Sequence, residues 1–341
     1  FYIFELLSDF EGVSRLNDED STYTFYLPTN EVWDEVIEKA EKHFNYALNT
    51  KNVDTTLVDS LKFYNSRFNI FRYLTYSDNE QKYLLPPDSV IPAIYEFKRK
   101  RFLRSVIEDC VVASETKKLS NGTVKVIDKF PYTIFDLWHD TIFLEGENQN
   151  MWNFGEEVPD EVETLTAYKS QLNKDSMLLG AEVSGGAYFS YTRETAANTA
   201  KFKIPKVLSA KYHVAIIFVP KNITNEFIDK EKMYETKMTV KVQQSPGTGS
   251  AIKLYEATRT KALYTDPFKM DTLFLTTNGE KAVIQPKYSE FYDGSAAKDY
   301  NVTLEIASIM ATNAEKNKGI NYDPAIRIDK ILLIPVLDSE E

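Results

Sequence analysis

The stretch from Tyr23 to Val36, YTFYLPTNEVWDEV, constrains the fold more than any other. Tyr23, Thr24, Phe25 and Tyr26 are aromatic or β-branched and favour a strand. Pro28 has no amide to give to a ladder, so the strand ends there or reaches an edge. Thr29 or Asn30 then caps a helix, and Glu31, Asp34 and Glu35 suit the positive end of its dipole. Trp33, Val36, Ile37 and Ala40 recur at helical spacing and predict its buried face.

Several function classes are excluded early. A net charge of −11 at pH 7 opposes a general nucleic-acid binder, which needs broad positive surface to neutralise phosphates. The basic run Lys98 to Arg101 with Arg104 reads as the solvated face of a helix spanning Asp88 to Arg104. One cysteine, Cys110, allows no intrachain disulfide, and its apolar setting predicts a buried thiol. One Cys and three His argue against a Cys/His zinc site. The longest apolar runs fall far short of the ~20 residues that a membrane-spanning helix needs.

Nucleophilic catalysis finds little support. His43 ends a charged helix, His139 lies at a junction, and His213 sits inside an apolar strand. There is no Gly-x-Ser-x-Gly elbow to present a serine, and no phosphate-loop or dinucleotide pattern.

At 341 residues the chain is expected to hold two domains, 1–137 and 138–341. The first mixes helix and strand. Phe1 to Leu16 has a helical period, and Leu57 to Leu74 suggests one or two more helices. Val106 to Val112 and Val124 to Ile127 read as strands, with Asn121-Gly122 as turn chemistry between them. From Thr141 the character changes to strands and turns. Strands are expected at Ile142 to Asn148, Lys201 to Leu208, Tyr212 to Val219, Lys237 to Gln243, Leu273 to Thr277, Tyr300 to Ile309 and Ala325 to Val336. Met238, Val240 and Val242 alternate with polar residues, as do Val302, Leu304 and Ile306, so each strand has one dry face.

The YTFYLPTNEVWDEV stretch and the later NGTVKVID, at Asn121 to Asp128, resemble the two signatures of fasciclin domains. The resemblance implies an α+β domain of cell-surface adhesion proteins. The family's Tyr-His pair is not matched: Phe71-Arg72-Tyr73-Leu74 puts Leu74 in the His position, so integrin recognition does not carry over. The Tyr212-His213 pair comes after the second signature and belongs to the next domain.

The second half resembles a galactose-binding-type jelly roll, through an opening strand that ends in Glu145-Gly146-Glu147-Asn148 and a closing strand Ile326 to Ile331. That resemblance implies an all-β sandwich whose opening and closing strands lie together. It also implies a structural calcium held by first-strand and last-strand acids, here Glu145, Glu147 and Asp329. Fasciclin followed by such a sandwich resembles surface lipoproteins of gut-type Bacteroidetes. The setting implied is extracytoplasmic, with a lipid anchor outside this chain. No cofactor beyond calcium is implied.

Glu145 and Glu147 at i and i+2 share one strand face, where like charges call for a cation or lie in solvent. Paired carboxylates are also the equipment of glycoside hydrolysis. Trp138 and Trp152 flank the acidic strand and are candidates for a sugar platform or for packing. The expected function is non-catalytic binding of a cell-surface or matrix protein or glycan. The alternatives are a glycan-binding accessory of a polysaccharide-uptake system and a glycoside hydrolase.

Overall fold

The structure, a computed structural model, describes residues 22–46, 55–77, 88–90, 102–133, 139–166, 183–193, 196–221, 233–246, 249–289 and 301–336. The expected first helix at Phe1 to Leu16 and most of the basic segment, 91–101, lie outside the described residues. The chain is mostly β, in several sheets, and divides into two compact units. Within the described residues one unit holds 22–44 and 55–140, and the other holds 45–46 and 141–336.

The first unit opens with β1 (Tyr23–Pro28), then helix α1 (Asn30–Glu41), α2 (Thr55–Phe71) and β2 (Thr75–Ser77). There follow the short pair β3 (Ser89–Val90) and β4 (Phe102–Leu103), helix α3 (Arg104–Glu108), β5 (Val111–Leu119) and β6 (Gly122–Ile127). The strand that Val106 to Val112 predicts is therefore half helix: Val106, Ile107 and Glu108 complete α3, and β5 starts only at Val111. Ile107 faces the core at 1% exposure from a single helical turn, too short to declare its period in the sequence.

The sheet order is β2-β1-β6-β5, with β1 and β6 parallel. Thr29 caps α1 by accepting from the amide of Val32 at 3.4 Å, and Val36, Ile37 and Ala40 face inward as their spacing predicts. Trp33 is only half-buried. Gly122 is required by a close approach: a Cβ there would lie 2.0 Å from the carbonyl oxygen of Tyr23. The glycine of Asn121-Gly122 thus lets β6 lie against the start of β1, besides closing the β5–β6 turn. Cys110 is buried, and burial pushes its thiol up, away from the reactive thiolate.

The second unit contains β7 (Ile142–Glu145), β8 (Val162–Thr166), β9 (Ala187–Tyr191), β10 (Thr199–Ile204), β11 (Tyr212–Phe218) and β12 (Lys237–Gln244). It continues with β13 (Ile252–Ala257), β14 (Leu263–Tyr264), β15 (Asp271–Phe274), β16 (Thr276–Thr277), β17 (Glu280–Lys281) and β18 (Val283–Ile284). It ends with β19 (Val302–Ser308), the short helix α4 (Asn313–Lys316) and β20 (Ile326–Pro335). One sheet runs β10-β19-β12-β13, with β14 beside β12. The other runs β15-β11-β20-β9-β8, with β18 beside β11 and β7 beside β20.

Both sheets are antiparallel, and they share one apolar core, an arrangement compatible with a β-sandwich. Phe202, Val240, Val242, Leu304 and Ile306 come from the first sheet, and Phe189, Val214, Ile216, Ile328 and Ile331 from the second. The alternation at Met238–Val242 and Val302–Ile306 is the reason: every second residue of β12 and β19 is buried.

Candidate functional site

The last strand changes face in mid-course. Ile326 and Ile328 point into the core, and so do Ile331 and Leu333, an odd step that regular alternation forbids. The register explains it. Phe218 pairs with Ile328 and Ile217 with Lys330, so Asp329 is the extra residue of a β-bulge. The bulge places Asp329 at 2% exposure.

Across from it, β7 pairs with β20, Glu145 opposite Lys330. The opening and closing strands are neighbours. The amide of Gly146 donates to the carbonyl of Asp329 at 2.7 Å. A Cβ on Gly146 would stand 2.2 Å from the carbonyl oxygen of Ile328, so only glycine admits this approach.

A third segment completes the cluster. Ser184, Gly185 and Gly186 form a turn before β9, with φ of 61° and 74° at the two glycines. The turn presents the Ser184 amide to Oδ1 of Asp329 at 2.9 Å and the Ser184 hydroxyl to Oε1 of Glu145 at 3.1 Å. Lys330 Nζ lies 3.4 Å from the same Glu145 oxygen. Oε2 of Glu145 and Oε2 of Glu147 are buried and meet no hydrogen-bond donor.

The electrostatics follow from this crowding. Burial pushes the Asp329 carboxyl up to about 6; the Ser184 amide and Lys330 oppose the rise, and Glu145 and Glu147 add to it. Burial also raises Glu147, with the charge of Glu145 adding to the effect. The neighbouring carboxylates of Glu145 and Glu147 and the sequence-distant Asp329 thus feel one another. Two orphaned carboxylate oxygens suit a hard divalent cation. Asp329 has already spent one oxygen on Ser184, and among the described residues no three Cys, His, Asp or Glu side chains are arranged as a ready coordination sphere.

Trp152 stands at the edge of the sandwich. Its ring packs edge-on to Phe189 at 5.3 Å between centroids, and its Nε1 donates to the carbonyl of Gly146 at 2.8 Å. The indole thereby holds the far side of the Gly146 turn. Trp138 lies outside the described residues. Ser184, Gly185, Gly186 and Lys330 are the partners that sequence reasoning missed. The Ser-Gly-Gly run before an aromatic strand was the one available signal, and it marks a turn without saying what the turn meets.

The histidines are equally informative. His43 and His139 are each 3% exposed, with ring centroids 5.2 Å apart. Burial, with the charge of His43 adding to it, lowers His139 to about 3. His213 Nδ1 meets the carbonyl of Ala282 at 3.0 Å.

No protein-family model matches the chain, and no curated protein matches it.

Proposed function

We propose that this chain is a non-catalytic binding protein of the extracytoplasmic cell surface. In this reading a fasciclin-like unit precedes a jelly-roll unit of galactose-binding type. The observation that carries it is the use made of Asp329. A catalytic carboxyl with a raised pKa must reach a substrate oxygen. Asp329 instead lies inside a bulge, bonded to Ser184 and walled in by the Gly146 turn. Its neighbours join β7, β20 and the turn before β9, and so tie both ends of the second unit together. The cluster acts as a staple.

Two features support the rest of the reading. The β1–α1 stretch and the β6 strand carry the sequence patterns that resemble fasciclin signatures, and β1 and β6 lie side by side in one sheet. The opening and closing strands of the second unit pair, as the resemblance to galactose-binding modules implies. A structural calcium belongs to the same proposal. Glu145 and Glu147 would hold it through their buried oxygens, and the ion would neutralise their repulsion.

A glycan array, an adhesion assay on matrix proteins and a panel of chromogenic glycosides test the proposal together. Retention of a glycan or protein without hydrolysis is the expected result. Turnover of any glycoside that disappears with Asp329→Asn would replace it with a hydrolase.

A further inference from the structure

The dipeptide Asn-Gly occurs twice in this chain, at Asn121-Gly122 and at Asn278-Gly279, and the fold puts the two in opposite settings. Asn278 and Gly279 form the tip of the β16–β17 hairpin, with φ of 55° and 88°. This hairpin is two rungs deep, Thr276 opposite Lys281 and Thr277 opposite Glu280. Its base is buried: the Ala282 amide donates to the Leu275 carbonyl at 2.7 Å. Every residue from Thr276 to Lys281 is exposed. A Cβ built on Gly279 meets no other described residue within 4 Å. A short exposed ribbon of two strands opens at low cost, because little packing opposes it.

Asn121-Gly122 closes β5–β6, but β6 is also held on its other side by β1. The Tyr23 amide donates to the Asn121 carbonyl at 3.0 Å. The Tyr23 carbonyl oxygen stands 2.0 Å from where a Gly122 Cβ would be. Opening this turn therefore means parting a three-strand arrangement, not a free tip.

Asparagine ahead of glycine carries a slow reaction of its own, one source of the thermal lability of this residue. Base removes the proton of the glycine amide, and its nitrogen attacks Cγ of the asparagine. The new N–C bond closes a five-membered succinimide, and the side-chain nitrogen leaves as ammonia. Water then opens either imide carbonyl, giving aspartate or isoaspartate. Water and hydroxide are the only co-reactants, and nothing is oxidised or reduced. Ring closure requires the main chain to bring that nitrogen onto Cγ. The left-handed turn is not the closing conformation, so the rate follows how readily each turn opens. We propose that Asn278 is a site of spontaneous covalent modification, passing through a succinimide to aspartate and isoaspartate, and that the fold protects Asn121 from the same reaction. The product places a new carboxylate on the tip that carries Lys281. Isoaspartate also adds a carbon to the main chain between Thr277 and Glu280 and so disturbs their pairing. The inference is independent of the binding reading above.

The test follows the folded full chain at pH 8 over weeks. Peptide mapping by mass spectrometry locates the loss of ammonia, and protein isoaspartyl methyltransferase labels the isoaspartate. Asn278 reacts severalfold faster than Asn121 and yields both aspartate and isoaspartate. The reaction slows at pH 6, because the attacking amide must first lose its proton. In strong denaturant the two sites react at similar rates, since the turn that protects Asn121 is gone. Gly279→Ala slows the reaction at Asn278, because the added methyl obstructs ring closure. Should that variant lose the hairpin, through strain at a positive φ, the comparison of Asn278 with Asn121 in one wild-type digest decides. Equal rates at the two sites in the folded chain overturn the proposal. So does an Asn278 that reacts only in denaturant, or one that gives aspartate without isoaspartate.

Discussion

The backbone amide of Ser184 donates to Oδ1 of Asp329 at 2.9 Å across 145 positions of sequence. The bond closes a triangle between β7, β20 and the turn before β9, because Ser184 also reaches Glu145 through its hydroxyl. A buried acid is tolerated there because the fold brings it a donor.

Asp329 makes stability depend on pH in an unusual direction. Its carboxyl is raised from 3.8 to about 6 in the folded chain, so between those values the native state binds a proton that the unfolded chain releases. In the absence of metal, the cost of this group is absent below pH 3.8, grows as pH rises, and is complete above about 6. Asp329→Asn keeps an oxygen for Ser184 and removes the charge. In chelator at pH 7 it should stabilise the chain, by at most about 3 kcal/mol, and the gain should vanish near pH 4. Denaturant midpoints at both pH values check this. A variant less stable than wild type at pH 7 would show that the charge contributes favourably.

Calcium should reverse part of that cost. Metal-stripped protein titrated with calcium should release heat and melt at a higher temperature, because the ion binds only the folded chain. Glu147→Gln should weaken both effects, since Oε2 of Glu147 is one of the two buried oxygens available. Identical calcium responses in wild type and Glu147→Gln would place the ion elsewhere, and no response in wild type would remove it.

Gly146→Ala should destabilise the second unit by about 1–3 kcal/mol or more, the range for forced overpacking. The added Cβ meets the Ile328 carbonyl oxygen at 2.2 Å, and backbone cannot rotate aside as a side chain can. Chemical denaturation measures it. A loss under 0.5 kcal/mol would mean that β7 and β20 can separate cheaply.

His139 governs the acid limb of the first unit. Its folded pKa is about 3 against 6.5 for the free side chain, so the unfolded chain binds the extra proton. Stability should be full above about 6.5 and fall by up to ~1.4 kcal/mol per pH unit toward 3. His139→Leu should flatten that limb in a fluorescence-monitored melt series. An unchanged slope would assign the acid sensitivity to another group.

Thr29→Ala removes the α1 cap. The accepted bond is long, at 3.4 Å, so the loss should sit at the lower end of the usual 0.5–2 kcal/mol, roughly 0.5–1. Asn30→Ala should cost less, because Asn30 is already inside the helix and Thr29 does the capping. The opposite ranking in thermal melts would exchange their roles.

Much of this chain was legible before any coordinates. Val36, Ile37 and Ala40 had to share a helix face, and Pro28 had to end β1, because steric and periodic rules act within a few residues. The same holds for β12 and β19, whose alternation assigns each side chain to a face regardless of the strand's neighbours. The parity change at Asp329 was not legible. A bulge is a relation between two strands, and β11 must be in place before Asp329 becomes the unpaired residue. Helix α3 was misread as strand because one turn carries too little periodicity to outweigh β-branched residues. Gly146 and Gly122 looked like ordinary turn glycines, and only the approach of Ile328 and Tyr23 shows why no side chain fits. Local sequence determined the buried face of α1 and the dry faces of β12 and β19. Tertiary structure alone decided which distant carboxylates meet, because their meeting depends on strand order and register, which no local pattern encodes.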